Sequence, residues 1–326
     1  MKRYLKFIYA ILLGICCLSS CSNRELKPFY IGVSQCSDDE WRNKMNTEIL
    51  REALFYDGLE VEIRSAKDNN HTQIEDIQYF VEEGVDLLVV APNEAAAITP
   101  AVEKAYQEGI PVIVVDRNIQ SDQYTAFIGA DNYKIGLDAG NYVLNHIGPS
   151  GKILEIMGLE GSTPAVERHK GFLDAIKNNP KVTIVASVDG EWLQHSAMEV
   201  MDSMLTVTED IDFVFAHNDR MAMGAYIAAQ KHRNESKMKF VGVDALPGED
   251  YGLDLIMRNI LDASFIYPTD GDKVVRLAMD ILEKHPYDKD NELSSALVDK
   301  QNARLISMQM DHISEQDGRI EHLNSQ

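Results

Sequence analysis

From Pro28 to about residue 245 the chain alternates between short apolar, β-branched runs and longer stretches of helical period, and no other feature limits its fold as strongly. Strand-like runs lie at Tyr30–Val33, Val61–Ile63, Leu87–Val90, Val112–Val115, Lys152–Met157, Val182–Ala186, Phe213–Ala216 and Phe240–Val243. Between them, apolar residues such as Ile74, Ile77, Tyr79, Phe80 and Val81 return at helical spacing. Runs this short and this continuously apolar, bracketed by helices, read as parallel strands buried on both faces within βαβ units. Gly84 and Gly109 fall where helices must stop, and Thr163-Pro164 reads as an N-cap with proline in the first turn. A chain of 326 residues exceeds what one core ordinarily holds. The expectation is therefore α/β: two Rossmann-like, doubly wound lobes with parallel sheets.

The first residues read as an address. Lys2, Arg3 and Lys6 precede an apolar run from Phe7 to Leu18, which as helix spans about 18 Å against a bilayer core of roughly 30 Å. That length favours a signal peptide over residues 1–21. Leu18-Ser19-Ser20-Cys21 resembles a lipoprotein cleavage box, which would make Cys21 an acylated residue. A cysteine beside an ordinary cleavage site and a retained anchor are the alternatives. The full chain carries 31 basic and 52 acidic side chains, net −21, and without residues 1–20 it carries −24. Such a surface repels a polyanion, so no nucleic-acid partner is expected. Only Cys36 among the four cysteines lies beyond the leader, which leaves no disulfide framework and reads as a small buried thiol.

In doubly wound sheets ligands sit beyond the carboxyl ends of strands. The polar residues there are Ser34 to Trp41, Asn93-Glu94 and Asp116-Arg117-Asn118 in the first half. The second half contributes Ser162 to Arg168, Asp189 to Trp192, His217-Asn218-Asp219 and Asp244. Planar donors and acceptors bind vicinal hydroxyls in pairs, and indoles cover the C–H faces of a sugar ring, so the set reads as carbohydrate recognition. Individually each residue has a plainer reading: Asp116-Arg117 as an ion pair, Trp41 and Trp192 as core, Asp219 or Asp244 as a helix cap. Met198, Met201 and Met204, at helical spacing, read as core. No phosphate loop, dinucleotide fingerprint, nucleophile elbow or zinc-ligand spacing occurs, so a non-catalytic module without cofactor or metal is expected.

Four segments make a resemblance specific: Ile113-Val114-Val115-Asp116-Arg117, Glu167-Arg168-x-x-Gly171-Phe172, Phe215-Ala216-His217-Asn218-Asp219 through Ala225, and Val241-Gly242-Val243-Asp244. In this order they resemble ribose-type periplasmic sugar-binding proteins, over roughly residues 28–302. That resemblance implies a type I clamshell whose lobes are joined by three crossings, near Ala130, Tyr267 and Ser295. The lobes would then comprise 28–130 with 268–295, and 131–267 with 296–302. It further implies that Asp116 and Arg117 hold sugar hydroxyls from the first lobe, and Arg168, Asn218 and Asp244 from the second. Trp192 and Trp41 would stack on the ring. Asp38 stands where ribose binders carry Asn, and Tyr267 where they carry a hinge Gln, which shifts the expected ligand from ribose toward a ketohexose such as fructose.

Three kinds of protein use such a clamshell. A repressor would need a DNA-binding motif before residue 28, where the leader sits. A transport receptor should end near Gln301, yet the sequence runs on to Gln326 with Ile306, Ile313 and Ile320 seven apart, a coiled-coil-like stripe over 303–326. That tail resembles the segment leading toward the membrane in Bacteroides-type hybrid two-component sensors. It implies a periplasmic, membrane-associated sugar sensor, weakly homodimeric, held by its leader, a lipid or a downstream span. A solvated terminal helix on a transport receptor is the alternative.

Overall fold

In the computed structural model, which describes residues 28–310 except 149, 181 and 209, the apolar runs build two separate six-stranded sheets. The first holds β1 (Phe29–Gln35), β2 (Leu59–Ser65), β3 (Leu87–Val90), β4 (Val112–Val115), β5 (Ala126–Ala130) and β11 (Asp290–Leu293). Their order is β2-β1-β3-β4-β5-β11, with every neighbour parallel. The second holds β6 (Gly151–Met157), β7 (Val182–Asp189), β8 (Phe213–Ala216), β9 (Lys239–Val241), β10 (Ala263–Phe265) and β12 (Leu297–Asp299). Here the order is β7-β6-β8-β9-β10-β12, parallel except for the antiparallel edge strand β12. Strands β3, β4 and β8 are buried along their whole length, as their unbroken apolar sequences demand.

Helices α1 (Glu40–Ala53), α2 (Asn70–Glu83) and α3 (Ala95–Gln107) flank the first sheet. Helices α4 (Asn132–His146), α5 (Thr163–Ile176), α6 (Gln194–Val207), α7 (Asp219–Lys231) and the short α8 (Gly252–Met257) belong to the second, and α9 (Gly271–Leu282) returns to pack on α1. The chain passes between the sheets three times: after Ala130, between Phe265 and Gly271, and between Leu293 and Leu297. One apolar cluster continues through the junction, from Ile31 and Val33 in the first lobe to Phe172 and Phe215 in the second. Cys36 is buried with a free thiol.

Local details depart from expectation in three places. The cap of α5 is Ser162 rather than Thr163, whose hydroxyl instead accepts the Asn118 N–H from the other lobe at 2.8 Å. The cap of α7 is Asn218 rather than Asp219, because Asn218 Oδ1 takes the Met221 N–H at 2.8 Å. Met201 is core and Met204 packs against it, but Met198 turns outward. Gly84 does close α2, in the left-handed conformation at φ 72°. Residues 303–310 are helical, and Ala303, Ile306 and Met310 pack on the core of the second lobe. Ile306 is therefore already covered by its own lobe. The leader with Cys21, and Ile313 and Ile320, lie outside the described residues. Among the described residues no helix is long and apolar enough to cross a membrane.

Candidate functional site

Loops after β1, β4, β6, β7, β8 and β9 bring their polar residues to one cleft between the lobes, with about 390 Å³ of empty space. Its wall contains Trp41, Asp116, Arg117, Arg168, Trp192, Asn218, Asp244 and Tyr267, all anticipated from the sequence, Asp39 and Pro164, which lie in stretches expected there without being singled out, and Arg42, which was not expected. Asp38 is the exception: its side chain is exposed, and it meets α1 only through a carbonyl that accepts Asn43 Nδ2 at 3.0 Å. The next residue, Asp39, takes the inward place because it caps α1 through Oδ1, with Oδ2 receiving Ser37 Oγ.

Several wall residues are held by their own backbones in the left-handed region, at φ 60° for Asp116, 65° for Trp192 and 124° for Asp244. Non-glycine residues keep such angles only where the surroundings fix them, as they do around binding sites. Trp192 fits because Gly158 has no side chain; a Cβ there would stand 2.1 Å from the indole. Trp41 donates its indole N–H to the Tyr267 carbonyl at 2.9 Å, and the two rings meet at 5.4 Å.

Asp116 accepts the Tyr267 hydroxyl at 2.5 Å and pairs with Arg42, while Arg117 Nε lies 3.7 Å away. Desolvation works against its charge, but Arg42, Arg117 and the Tyr267 hydroxyl hold this carboxyl below the usual carboxylate range. Across the cleft Arg168 is buried, donating Nε to Asn132 Oδ1 at 2.9 Å and Nη1 to the His217 carbonyl. Its guanidinium lies 4.5 Å from the Tyr267 ring centre and 5.4 Å from that of Trp192. Asn218 is occupied at both ends, capping α7 and donating Nδ2 to the Trp192 carbonyl at 3.1 Å. Desolvation and the nearby Asp219 carboxyl push Asp244 above its ordinary value.

Beneath Arg168 lies a buried polar floor. Glu155, on β6, receives Ser187 Oγ at 2.6 Å, His169 at 2.8 Å and His217 Nε2 at 3.1 Å. His217 Nδ1 accepts the Gly158 N–H at 3.3 Å, which leaves the ring proton on Nε2, facing Glu155. Desolvation keeps His217 neutral, whereas the histidine and serine bonds outweigh it at Glu155 and hold that carboxyl at about 2. His217 thus serves the cleft through its carbonyl. Glu94 is turned away, bonded to Asn70 and lying against Gly161.

Chemically the wall offers three guanidinium groups (Arg42, Arg117, Arg168), three carboxyl groups (Asp39, Asp116, Asp244) and two indoles. Aromatic faces set among charge-assisted donors and carboxyl acceptors suit a neutral polyol ring. Among the described residues no group of three His, Cys, Asp or Glu is placed to hold a metal ion.

Comparison with known proteins agrees. The periplasmic binding protein domain matches residues 30–286. The galactofuranose-binding protein YtfQ of Escherichia coli is 29% identical over 72% of this chain and 74% of its own length. The ribose import binding protein RbsB of the same bacterium is 31% identical over 58% of this chain and 64% of its own. Among solved structures, the fructose-binding periplasmic domain of the hybrid two-component system BT1754 is 57% identical, with a TM-score of 0.90 over 91% of this chain and 99% of that one. Taken with the two-lobed α/β architecture and its walled cleft, these matches show that the chain belongs to the periplasmic binding protein family.

Proposed function

We propose that this chain is the periplasmic sugar-sensing portion of a membrane signalling protein and that fructose is held in its cleft. The observation that carries the reading is the wall of guanidinium and carboxyl groups set with two indoles, which offers hydrogen-bonding partners to hydroxyls and apolar cover to a ring. The 57% identity to a fructose-binding sensor domain, against about 30% to transport-binding proteins, supports both the ligand and the signalling role. Membrane attachment, through the leader, an acylated Cys21 or a downstream span, belongs to the same reading. So do the nine residues expected to bind, with Asp39 taking the place of Asp38. Because the wall is drawn from both lobes, only a closed arrangement satisfies every ligand hydroxyl, and sugar shifts the population toward it.

Calorimetric titration of residues 22–326 with fructose, ribose, galactose and myo-inositol tests the ligand. Fructose should bind most tightly, and a chain that gives no heat with any of these neutral sugars would overturn the reading. In the gene, a hydrophobic run of about 20 residues followed by a kinase-like region would identify a sensor rather than a transport receptor.

A further inference from the structure

Glu155 is the one charged residue in the run Ile153-Leu154-Glu155-Ile156-Met157 of β6, and its side chain is fully buried. The core alone does not call for a carboxylate there, since an apolar side chain of like volume is often no less stable. Two of its bonds lead to the same place. Oε1 accepts the Nε2 proton of His217 at 3.1 Å, and the backbone carbonyl of that histidine accepts Arg168 Nη1. Oε2 accepts from His169 at 2.8 Å, the residue that follows Arg168 on α5. The His217 ring is fixed from its other side, because Nδ1 accepts the Gly158 N–H at 3.3 Å. The carboxylate thus grips both the strand end that receives Arg168 and the helix that carries it. Desolvation works against its charge, yet the two histidines and Ser187 keep it ionised.

We infer that Glu155 is a positioning residue of the cleft, which acts through His217 and His169 to fix where the Arg168 guanidinium meets a sugar hydroxyl. Glu155 is no part of the cleft wall itself. Arg168 reaches the wall on a long side chain with many rotamers, and its planar fork binds well only when it is aimed. Two acceptors set that aim, Asn132 Oδ1 at Nε and the His217 carbonyl at Nη1. Glu155 governs the second of them and, through His169, the turn of α5 from which Arg168 projects. A carboxylate suits the task because it accepts from both histidines and Ser187 at once, whereas an amide has one oxygen and two N–H groups. Supporting groups of this kind hold binding residues to the geometry that affinity requires. This deepens the proposed function and rests on it.

The test is a cycle of variants. The parent, Glu155→Gln, Arg168→Met and the double variant are titrated with fructose, and thermal unfolding is followed on the same samples. Glu155→Gln keeps the shape but offers one oxygen to three donors, and it should bind fructose about 10-fold more weakly than the parent. In the Arg168→Met background the same change should weaken binding by less than about 2-fold, because no guanidinium is left to aim. Phe240→Leu, a core substitution in the same lobe away from these bonds, should lower thermal stability and leave affinity at the parent's value. If Glu155→Gln does not fold, His169→Gln, at a half-buried position, must weaken binding about 3-fold, and only while Arg168 is present. An equal loss in both backgrounds, a loss matched by Phe240→Leu, or no loss would overturn the inference while fructose binding by the parent stands. A parent that binds no monosaccharide overturns the proposed function and this inference with it.

Discussion

Two carboxyl groups act on each other, Asp244 in the cleft wall and Asp219 behind it. Asp219 takes Ser264 Oγ and the Ala245 N–H at 2.7 Å each, and desolvation still pushes it up to about 7. Desolvation and Asp219 raise Asp244 as well. A carboxyl with its folded-state pKa above the unfolded value of about 3.9 keeps a proton that the unfolded chain has already released. The stability of the sugar-free protein contributed by Asp219 should therefore be full below about pH 4 and decline up to about pH 7, and Asp244 acts in the same direction. Glu155 runs the other way, contributing stability at neutral pH that is lost as pH falls through its folded value of about 2. Asp244→Asn removes one carboxyl of the pair, so the sugar-free variant should be more stable than the parent at pH 7, and by less at pH 4, while it binds fructose more weakly. Thermal unfolding between pH 4 and 8, with and without fructose, checks this, and a constant difference from the parent across that range would contradict it. Arg168→Ala leaves Asn132 Oδ1 and the His217 carbonyl without their donor, along with the ligand oxygens, and should weaken fructose binding by about 2–4 kcal/mol. Trp192→Ala, which removes only ring cover, should weaken it by about 1–3 kcal/mol. Calorimetry separates the two, and variants that bind like the parent would deny both residues a place at the ligand.

Helices α4 and α5 touch backbone to backbone at two glycines, and that contact sets where Arg168 begins. A Cβ on Gly136 would stand 2.0 Å from the Arg168 carbonyl oxygen, and one on Gly171 2.0 Å from that of Tyr133. Gly136→Ala should thus part the helices, with a stability loss of about 1–3 kcal/mol. It should also displace Arg168 and weaken fructose binding. Thermal unfolding and titration on the same sample check this, and full affinity in a destabilised variant would show that Arg168 tolerates the displacement. At this scale the sequence is legible wherever burial is complete. Leu87–Val90, Val112–Val115 and Phe213–Ala216 are strands buried on both faces, and their composition says so. β10, β11 and β12 are only three or four residues long and β5 is a small-residue run (AFIGA); all four flank the crossings, where tertiary pairing rather than pattern fixes them. The cleft was legible for a topological reason, since residues just past strand ends must gather there. The choice between neighbours was not: Asp38 against Asp39 and Asn218 against Asp219 depend on which side chain turns back to cap its helix. Arg42 was invisible, because a cation in a first helical turn looks like solvent-facing charge until Asp116 is seen beside it.

Across the whole molecule the lobes meet in contacts that need no ligand. Arg220 pairs with Glu40, the Asn118 N–H reaches Thr163 Oγ1 at 2.8 Å, and the Ala95 N–H reaches the Gly161 carbonyl at 3.1 Å. These bonds join the lobes directly, besides the three crossings of the chain. The helical segment 303–310 starts just beyond β12, and its buried Ala303, with Ile306 and Met310 packed on the core, makes it an extension of the second lobe. Any rotation of that lobe is therefore carried into the sequence that follows. The seven-residue stripe of Ile306, Ile313 and Ile320 was expected to pair two chains along its whole length, but Ile306 is spent on its own lobe. What remains is Ile313, Ile320 and Leu323, interrupted by Gln316 and by Gly318, whose cost in a helix is about 1 kcal/mol relative to alanine. So short a seam should give a weak homodimer whose strength follows lobe closure rather than a permanent one. Sedimentation of residues 22–326 over a range of concentrations, with and without fructose, measures this. Ile313→Asp should abolish pairing without affecting thermal stability, and Ile306→Asp should lower thermal stability by opening the second-lobe core. A strict monomer at every concentration, indifferent to fructose, would mean that closure is read out by something other than the pairing of these tails.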